Sequence, residues 1–230
     1  MNVINEVRRI NRLTSEHIFA MKTTRSNGMV ISSPRLIFPR YRNGITRISE
    51  QEARFSFTGV LEDRNDFFYS VETPTSTVYR FTGAGKRSAL FDLCLYEHDT
   101  ESNDLKLVTA CEFKHGGKGI NKDIQKLSSL TSNVGVIIGN WFQLINSIDS
   151  ATIKSLFAKI AEALKQANPS DPSVIIFHFC IMGPQPTILE KVFDCSRTSL
   201  SFNSYVDDFF RFDYKVGSGK IVVMNANGWC

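Results

Sequence analysis

The sequence lacks several patterns that would assign a protein to a class at once. Its five cysteines are scattered, with no Cys-x-x-Cys pair and no Cys/His cluster, which excludes a zinc site of the usual spacing. The N-terminus carries arginines where a secretory signal needs an apolar segment, and the longest apolar runs are too short to cross a bilayer. We therefore expect a cytoplasmic protein with reduced thiols and no membrane partner.

Two common catalytic motifs are missing as well. The basic turn at 83–87 is glycine-rich like a P-loop, but Arg80 stands where the first glycine is required. Arg87 also replaces the Ser or Thr that would coordinate Mg²⁺. No nucleophile elbow accompanies the serines and histidines. These absences exclude a P-loop nucleotide site and leave Ser-His-Asp catalysis without support.

The composition is that of an ordinary globular protein, with 230 residues, 42% of them hydrophobic and 22% charged. We expect a basic helical or irregular extension over 1–46, packed on an α/β domain over 47–230. The net charge is only +4, but residues 1–60 hold ten Lys or Arg against four acids. This excess fits a phosphate-facing surface, and it fits a solvated basic helix equally well.

Apolar periodicity predicts alternating helices and strands. The predicted helices cover 2–13, a short segment through 20 capped by Thr14 or Ser15, the segment opened by the capping box of Ser49 and Glu52, the segment from 120, 151–167 and 188–193. The predicted strands cover 67–73, 77–82, 89–96, 105–114, 134–138, 174–182 and a hairpin of 214–216 with 220–224. This order indicates an α/β/α arrangement of layers.

Three charged residues stand out in the two strands at 89–96 and 105–114. Glu112 and Lys114 share one face of their strand because side chains alternate. If the hairpin turns symmetrically about Ser102, Asp92 lies opposite Glu112. Facing carboxylates are unfavourable unless a cation fills the gap, and Mg²⁺ favours such oxygen ligands.

A carboxylate in one strand, Glu-x-Lys at the end of the next and a following helix with a polar face resemble the PD-(D/E)xK nuclease superfamily. The two halves of the motif are Phe91-Asp92 and Glu112-Phe113-Lys114, with Phe91 in place of the proline. The resemblance covers about 47–140. It implies a mixed central sheet flanked by helices, in a restriction-endonuclease-like α/β/α core.

The resemblance also implies metal-assisted hydrolysis of phosphodiester bonds. Asp92 and Glu112 would hold Mg²⁺ or Mn²⁺, with Glu50 as a further ligand and Glu52 as the alternative to it. Lys114 would position or help to deprotonate the attacking water, or contact the phosphate, and Gln125 would orient Lys114 or the water. We expect nucleic acid as partner, DNA before RNA, bound by a monomer or a homodimer. The residues expected to contact its backbone are Lys86, Arg87, Lys118 and Lys122.

Two other classes of function remain open on the sequence. The same fold can be an inactive module that binds nucleic acid or a protein, with the acids kept as an ionic cluster. A structural subunit with a Phe-rich packing surface is the third. If the charges lie on an exposed hairpin, Glu112 and Lys114 form only a surface ion pair worth about 0–1 kcal/mol. His115 points to the opposite strand face, which favours a structural role.

Overall fold

A mixed six-stranded sheet organises the chain, and the computed structural model describes residues 2–26, 36–64, 67–79, 87–130, 136–146, 149–167, 173–196, 201–211, 213–217, 220–225 and 227–230. The helices are α1 (Val3–Ser26), α2 (Glu50–Glu62), α3 (Ile120–Ser128), α4 (Ser150–Ala167) and α5 (Phe202–Phe210). The strands are β1 (Phe68–Tyr79), β2 (Arg87–Asp99), β3 (Asp104–His115), β4 (Ile138–Ile145), β5 (Val174–Ile181), β6 (Thr187–Asp194), β7 (Asp213–Gly217) and β8 (Lys220–Asn225).

The strands of the large sheet lie in chain order from β1 to β6. β1, β2 and β3 form an antiparallel meander, β3, β4 and β5 are parallel, and β6 returns antiparallel to β5. The parallel pairs are joined through α3 and α4, as parallel strands require a crossover connection. The carboxyl ends of β3, β4 and β5 therefore meet at one edge of the sheet.

Apolar side chains pack on both faces of the sheet. One cluster joins the sheet to α1 and α2, and the other joins it to α3, α4 and α5. The second cluster includes stacked and edge-on rings such as Phe157, Phe177 and Trp229. This three-layer arrangement confirms the predicted fold class, an α/β protein with a mixed sheet flanked by helices. Among the described ranges, no helix has the length and apolar composition needed to cross a bilayer.

One long helix, α1, replaces the two short helices predicted near the N-terminus. Thr14 and Ser15 were expected to cap the second helix, but both are fully buried within α1. Their small hydroxyl side chains belong to the same buried face of α1 as Val7, Ile10 and Ile18. The capping prediction was wrong because these residues pack against the sheet. Local sequence patterns do not report contacts with a distant strand, such as that of the Ser15 hydroxyl with His178.

Two predicted elements in the second half were also wrong. The buried strand predicted at 134–138 lies at 138–145 instead, and 131–135 fall outside the described residues. The polar residues Asn140 and Gln143 interrupt the apolar pattern of this strand, so the pattern did not predict it. Both are fully buried and hydrogen-bonded in β4. The helix predicted at 188–193 is strand β6, which follows β5 after the connection at 182–186 and pairs with it. Pairing to a neighbouring strand decided its conformation, as it commonly does for short apolar segments.

Candidate active site

The hairpin of β2 and β3 sets the predicted acids side by side. Leu93 pairs with Cys111, which is the predicted register, and a shift between Leu95 and Tyr96 changes the outer half by one residue. One position further along the inner register, Asp92 lies opposite Glu112. The Oδ2 atom of Asp92 accepts a hydrogen bond from the backbone N–H of Phe113 at 2.8 Å. Asp92 is half-buried, whereas Glu112 is only 1% exposed.

Two lysines enter the cluster between these acids and a third carboxylate. The Nζ atom of Lys114 lies 2.6 Å from Asp123 Oδ2 and 3.9 Å from Glu112 Oε2. The Nζ atom of Lys126 lies 2.7 Å from Asp123 Oδ1, also pairs with Glu112 Oε1, and donates to the backbone oxygen of Leu90 at 2.7 Å. We call Asp92, Glu112, Lys114, Asp123 and Lys126 the charge cluster.

The charge cluster holds one more carboxylate than it holds ammonium groups. Burial, together with the carboxylates of Asp123 and Asp92, raises the pKa of Glu112 well above its ordinary value, although Lys126 acts in the opposite direction. Burial would lower the pKa of Lys114 and of Lys126, but the neighbouring carboxylates outweigh it and both values are raised. Both lysines are therefore ammonium ions at neutral pH. Because the pKa of Glu112 is raised, this surplus of negative charge favours an additional cation at Glu112, either a proton or a metal ion.

Glycines bring α3 close enough to the sheet to complete the cluster. Gly119 caps the N-terminus of α3 with a φ of +74°, a backbone conformation that other residues rarely adopt. A Cβ atom at Gly139 of β4 would lie 3.3 Å from Leu127 Cβ, so a larger residue there would push α3 outward. Asp123 and Lys126 on α3 are thereby held over β3.

Sequence reasoning missed Asp123 and Lys126. Lys126 was assigned to the polar face of its helix, but the residue is only 5% exposed. A signal was available, because Asp123 lies at helical spacing from Ile120 and Leu127, within the apolar stripe. Charged residues inside such a stripe call for partners on the facing sheet.

The two candidate acids of α2, Glu50 and Glu52, differ in burial. Glu52, the alternative ligand, belongs to the buried face of the helix, and Glu50 does not. Glu52 accepts hydrogen bonds from the backbone N–H and the hydroxyl of Ser49, at 3.0 and 2.6 Å, in the predicted capping box. Both acids act electrostatically on His115 at the end of β3. α2 packs on the face of the sheet opposite to α3.

The remaining predicted site residues lie around the cluster rather than in it. Gln125 is exposed on α3, and its backbone oxygen accepts from the hydroxyls of Ser128 and Ser129. Lys118 and Lys122 are exposed, on the loop before α3 and on α3 itself. Lys86 lies outside the described residues, and only the backbone of Arg87 is described, at the start of β2.

The carboxylate oxygens of the charge cluster suit a hard divalent cation that takes only one or two ligands from the protein. Within the described ranges, no three His, Cys, Asp or Glu side chains group closely enough to enclose a metal by themselves. Mg²⁺ commonly keeps several water molecules and binds one or two carboxylates together with substrate phosphates. Asp92 and Glu112 supply two carboxylates for an ion of that kind, which would compete with Lys126 and with a proton for Glu112.

A second buried network lies on the opposite face of the sheet. Ser15 Oγ lies 2.8 Å from His178 Nε2, and His178 Nδ1 lies 2.8 Å from Glu190 Oε2. Glu190 Oε1 also accepts from Arg8 at 2.7 Å and pairs with Arg12 at 3.3 Å. The order Ser-His-Glu is that of a hydrolase triad, but all three side chains are 0% exposed.

That network joins α1 to the sheet and is closed to substrate. Burial lowers the pKa of His178, so its imidazole is neutral. Burial would raise the pKa of Glu190, but its hydrogen bonds from His178 and Arg8 outweigh this and the value is lowered. Part of the positive charge predicted for a phosphate-facing surface is thus paired with the buried Glu190, by Arg8 and by Arg12, whose side chains stay 28% and 49% exposed.

Comparison of the chain with protein-family models, with curated proteins and with solved structures gives no match. The resemblance to the PD-(D/E)xK nucleases therefore rests on the motif residues alone.

Proposed function

We propose that this chain is a metal-dependent nuclease that hydrolyses phosphodiester bonds, with DNA as the first substrate expected. One observation carries the proposal: Asp92 and Glu112 meet on one face of the sheet, with Lys114 beside them, in a cluster that has a surplus of carboxylates. Burying charges costs free energy unless they are paired or bind a ligand, so such a cluster favours a functional site. The five cysteines are free thiols, which supports an intracellular setting for this activity.

Asp92 and Glu112 are the residues that would hold Mg²⁺ or Mn²⁺. When bound, such an ion lowers the pKa of a water molecule and neutralises charge on the scissile phosphate. Lys114 is held as an ammonium ion by Asp123, which favours a role in contacting phosphate oxygens or orienting water over a role as general base. Lys118, on the loop before α3, and Lys122, on α3, are exposed and would contact the nucleic-acid backbone.

Incubation of the purified chain with supercoiled plasmid, single-stranded DNA and single-stranded RNA tests the proposal. We expect cleavage in Mg²⁺ or Mn²⁺ and none in excess chelator, and the preferred nucleic acid follows from the relative rates. A folded protein that cuts none of these with either ion would overturn the assignment as a nuclease.

A binding module is the second candidate, and the lysines favour it. Lys114 and Lys126 already balance two of the three carboxylates, so the cluster is partly satisfied without any metal. This candidate predicts nucleic-acid or protein binding that is unchanged by chelator and by Glu112→Gln, with no cleavage. The two candidates therefore differ in the arms that contain Mg²⁺ or Mn²⁺, where only the nuclease cleaves.

Lys126→Met is expected to tighten Mn²⁺ binding by about tenfold or more, which corresponds to about 1.4 kcal/mol. The ammonium of Lys126 pairs with Glu112 and Asp123, so its removal raises the net negative charge at these two carboxylates, although Lys114 still pairs with Asp123. A bound divalent cation would offset that charge. Isothermal titration with Mn²⁺ measures the affinity without any substrate.

The matched control is Lys122→Met, which removes the same charge from an exposed position of α3. It is expected to change Mn²⁺ affinity by less than about twofold, because exposed charges are screened. Equal Mn²⁺ affinities in Lys126→Met and the wild type would show that the ion does not bind next to Glu112.

A further inference from the structure

A cavity of about 500 Å³ lies beside the charge cluster, at the carboxyl ends of β3 and β4 and against α4. Its wall includes His115 and Gly117, which follow Lys114 directly in the chain. Gln143, another wall residue, pairs with Lys114 in the parallel ladder. The cavity is on the α4 side of the sheet, the face that also carries Glu112. In open α/β sheets, ligands commonly bind at the carboxyl ends of the strands.

The hydrogen-bonding groups of the wall include both donors and acceptors. Asn146 Nδ2 donates to His115 Nε2 at 2.8 Å, so the imidazole accepts there and its Nδ1 carries the proton. Gln143 is fully buried, and its Nε2 donates to the backbone oxygens of Lys114 and Gly116 at 3.3 and 3.1 Å. Its Oε1 is buried with no hydrogen-bond partner among the described residues. A buried acceptor without a donor is unfavourable, and a ligand donor or a water that reached it would relieve this.

A cation lies at the edge of the same cavity. A Cβ atom on Gly117 would lie 3.3 Å from Lys159 Nζ, so the absence of a side chain lets this ammonium lie against the loop that follows Lys114. Ser155 adds a hydroxyl one turn earlier on α4. An ammonium beside exposed backbone suits a phosphate group, and the amides and hydroxyl suit the edge of a nucleobase.

We propose that this cavity receives one unpaired nucleotide of the substrate strand, next to the phosphodiester that lies at the charge cluster. The inference rests on the proposed nuclease function and adds the class of substrate, which is single-stranded nucleic acid or a duplex from which a base is extruded. The volume falls within the range of about 300–1,000 Å³ of cavities that hold one small molecule, and a duplex cannot enter it. A single nucleotide reaches such a cavity only after leaving the base stack.

Binding of deoxynucleoside 5′-monophosphates in the presence of chelator tests the cavity without any cleavage. Chemical shifts of the backbone amides of Gly116, Gly117 and Asn146 are expected to move on titration, and inorganic phosphate is expected to bind at least tenfold more weakly. Ser155→Trp fills the cavity and is expected to weaken nucleotide binding at least tenfold. Ala158→Trp, at an exposed position of the same helix outside the cavity, is the matched control and is expected to bind as the wild type does.

Asn146→Ala provides a second variant, since it removes the hydrogen bond to His115 without adding bulk. It is expected to weaken nucleotide binding by about threefold to tenfold. Equal binding of phosphate and nucleotides, or unchanged nucleotide binding in both Ser155→Trp and Asn146→Ala, overturns the cavity as a nucleotide site.

The two proposals fail separately. Metal-dependent cleavage with no nucleotide binding in chelator overturns the cavity and leaves the nuclease function standing. Nucleotide binding without cleavage in any metal supports the cavity and overturns the nuclease function. In the cleavage assay, a wild-type preference for single-stranded over fully paired substrate that is lost in Ser155→Trp supports both.

Discussion

Asp92→Asn is expected to reduce metal-dependent cleavage by about a hundred- to a thousand-fold, corresponding to about 3–4 kcal/mol of transition-state stabilisation. The substitution removes one negative charge from the pair that would hold the ion. It also preserves the local structure, because the amide oxygen of asparagine can still accept the 2.8 Å hydrogen bond from Phe113 N–H. Asp92 is half-buried at the edge of the cluster, so no fully buried charge is left unpaired.

Initial rates at saturating Mg²⁺, compared with the unfolding midpoint of each variant, separate a chemical effect from a folding effect. Glu97→Gln is the matched control, since Glu97 lies on the same strand and outside the charge cluster. Its rate is expected to stay within about twofold of the wild type. If Asp92→Asn cleaves as fast as Glu97→Gln, Asp92 does not hold the metal.

Glu190→Leu is expected to lower the free energy of unfolding by about 3 kcal/mol, the largest effect on stability that we predict. Removing one partner from a buried ionic network leaves the others without a compensating charge or hydrogen bond, at a cost of about 3–5 kcal/mol. Here His178 Nδ1 would lose its acceptor in a fully buried position. Arg8 keeps 28% of its side chain exposed and can regain water, which places the cost at the lower end.

Urea unfolding of three variants and the wild type measures this cost. In Glu190→Gln the amide oxygen can accept from Arg8, and the amide N–H can donate to His178 once the imidazole takes its other tautomer. That variant is expected to lose only about 1 kcal/mol. Glu162→Leu, at an exposed position of α4, is expected to stay within about 0.5 kcal/mol. Equal stability of Glu190→Leu and the wild type would show that the network adds nothing over apolar packing.

The prediction for the hairpin succeeded because its signals are local. Alternation fixes that Glu112 and Lys114 share a face, and a short connection fixes which residues of β2 and β3 pair. The inner register, with Leu93 opposite Cys111, is the predicted one. The capping box of Ser49 and Glu52 was predictable for the same reason, since all of its atoms lie within one helical turn.

The errors concern residues whose partners are distant in the chain. Ser15 contacts His178 across 163 residues, and Lys126 reaches Leu90 across 36. Neither contact has a periodicity or a spacing that a sequence pattern can report. Strand β6 was mistaken for a helix because its conformation depends on pairing with β5, which supplies His178 opposite Glu190.

The sequence by itself determined the fold class and the Asp92, Glu112 and Lys114 triplet, because alternation and short-range pairing place these residues without reference to the rest of the chain. Only the tertiary structure decided what surrounds the triplet. The crossover through α3 brings Asp123 and Lys126 over β3, and the parallel strands form the cavity against α4. The physical reason is that burial makes charges expensive unless they meet partners, and the partners here come from elements that only the folded sheet brings together.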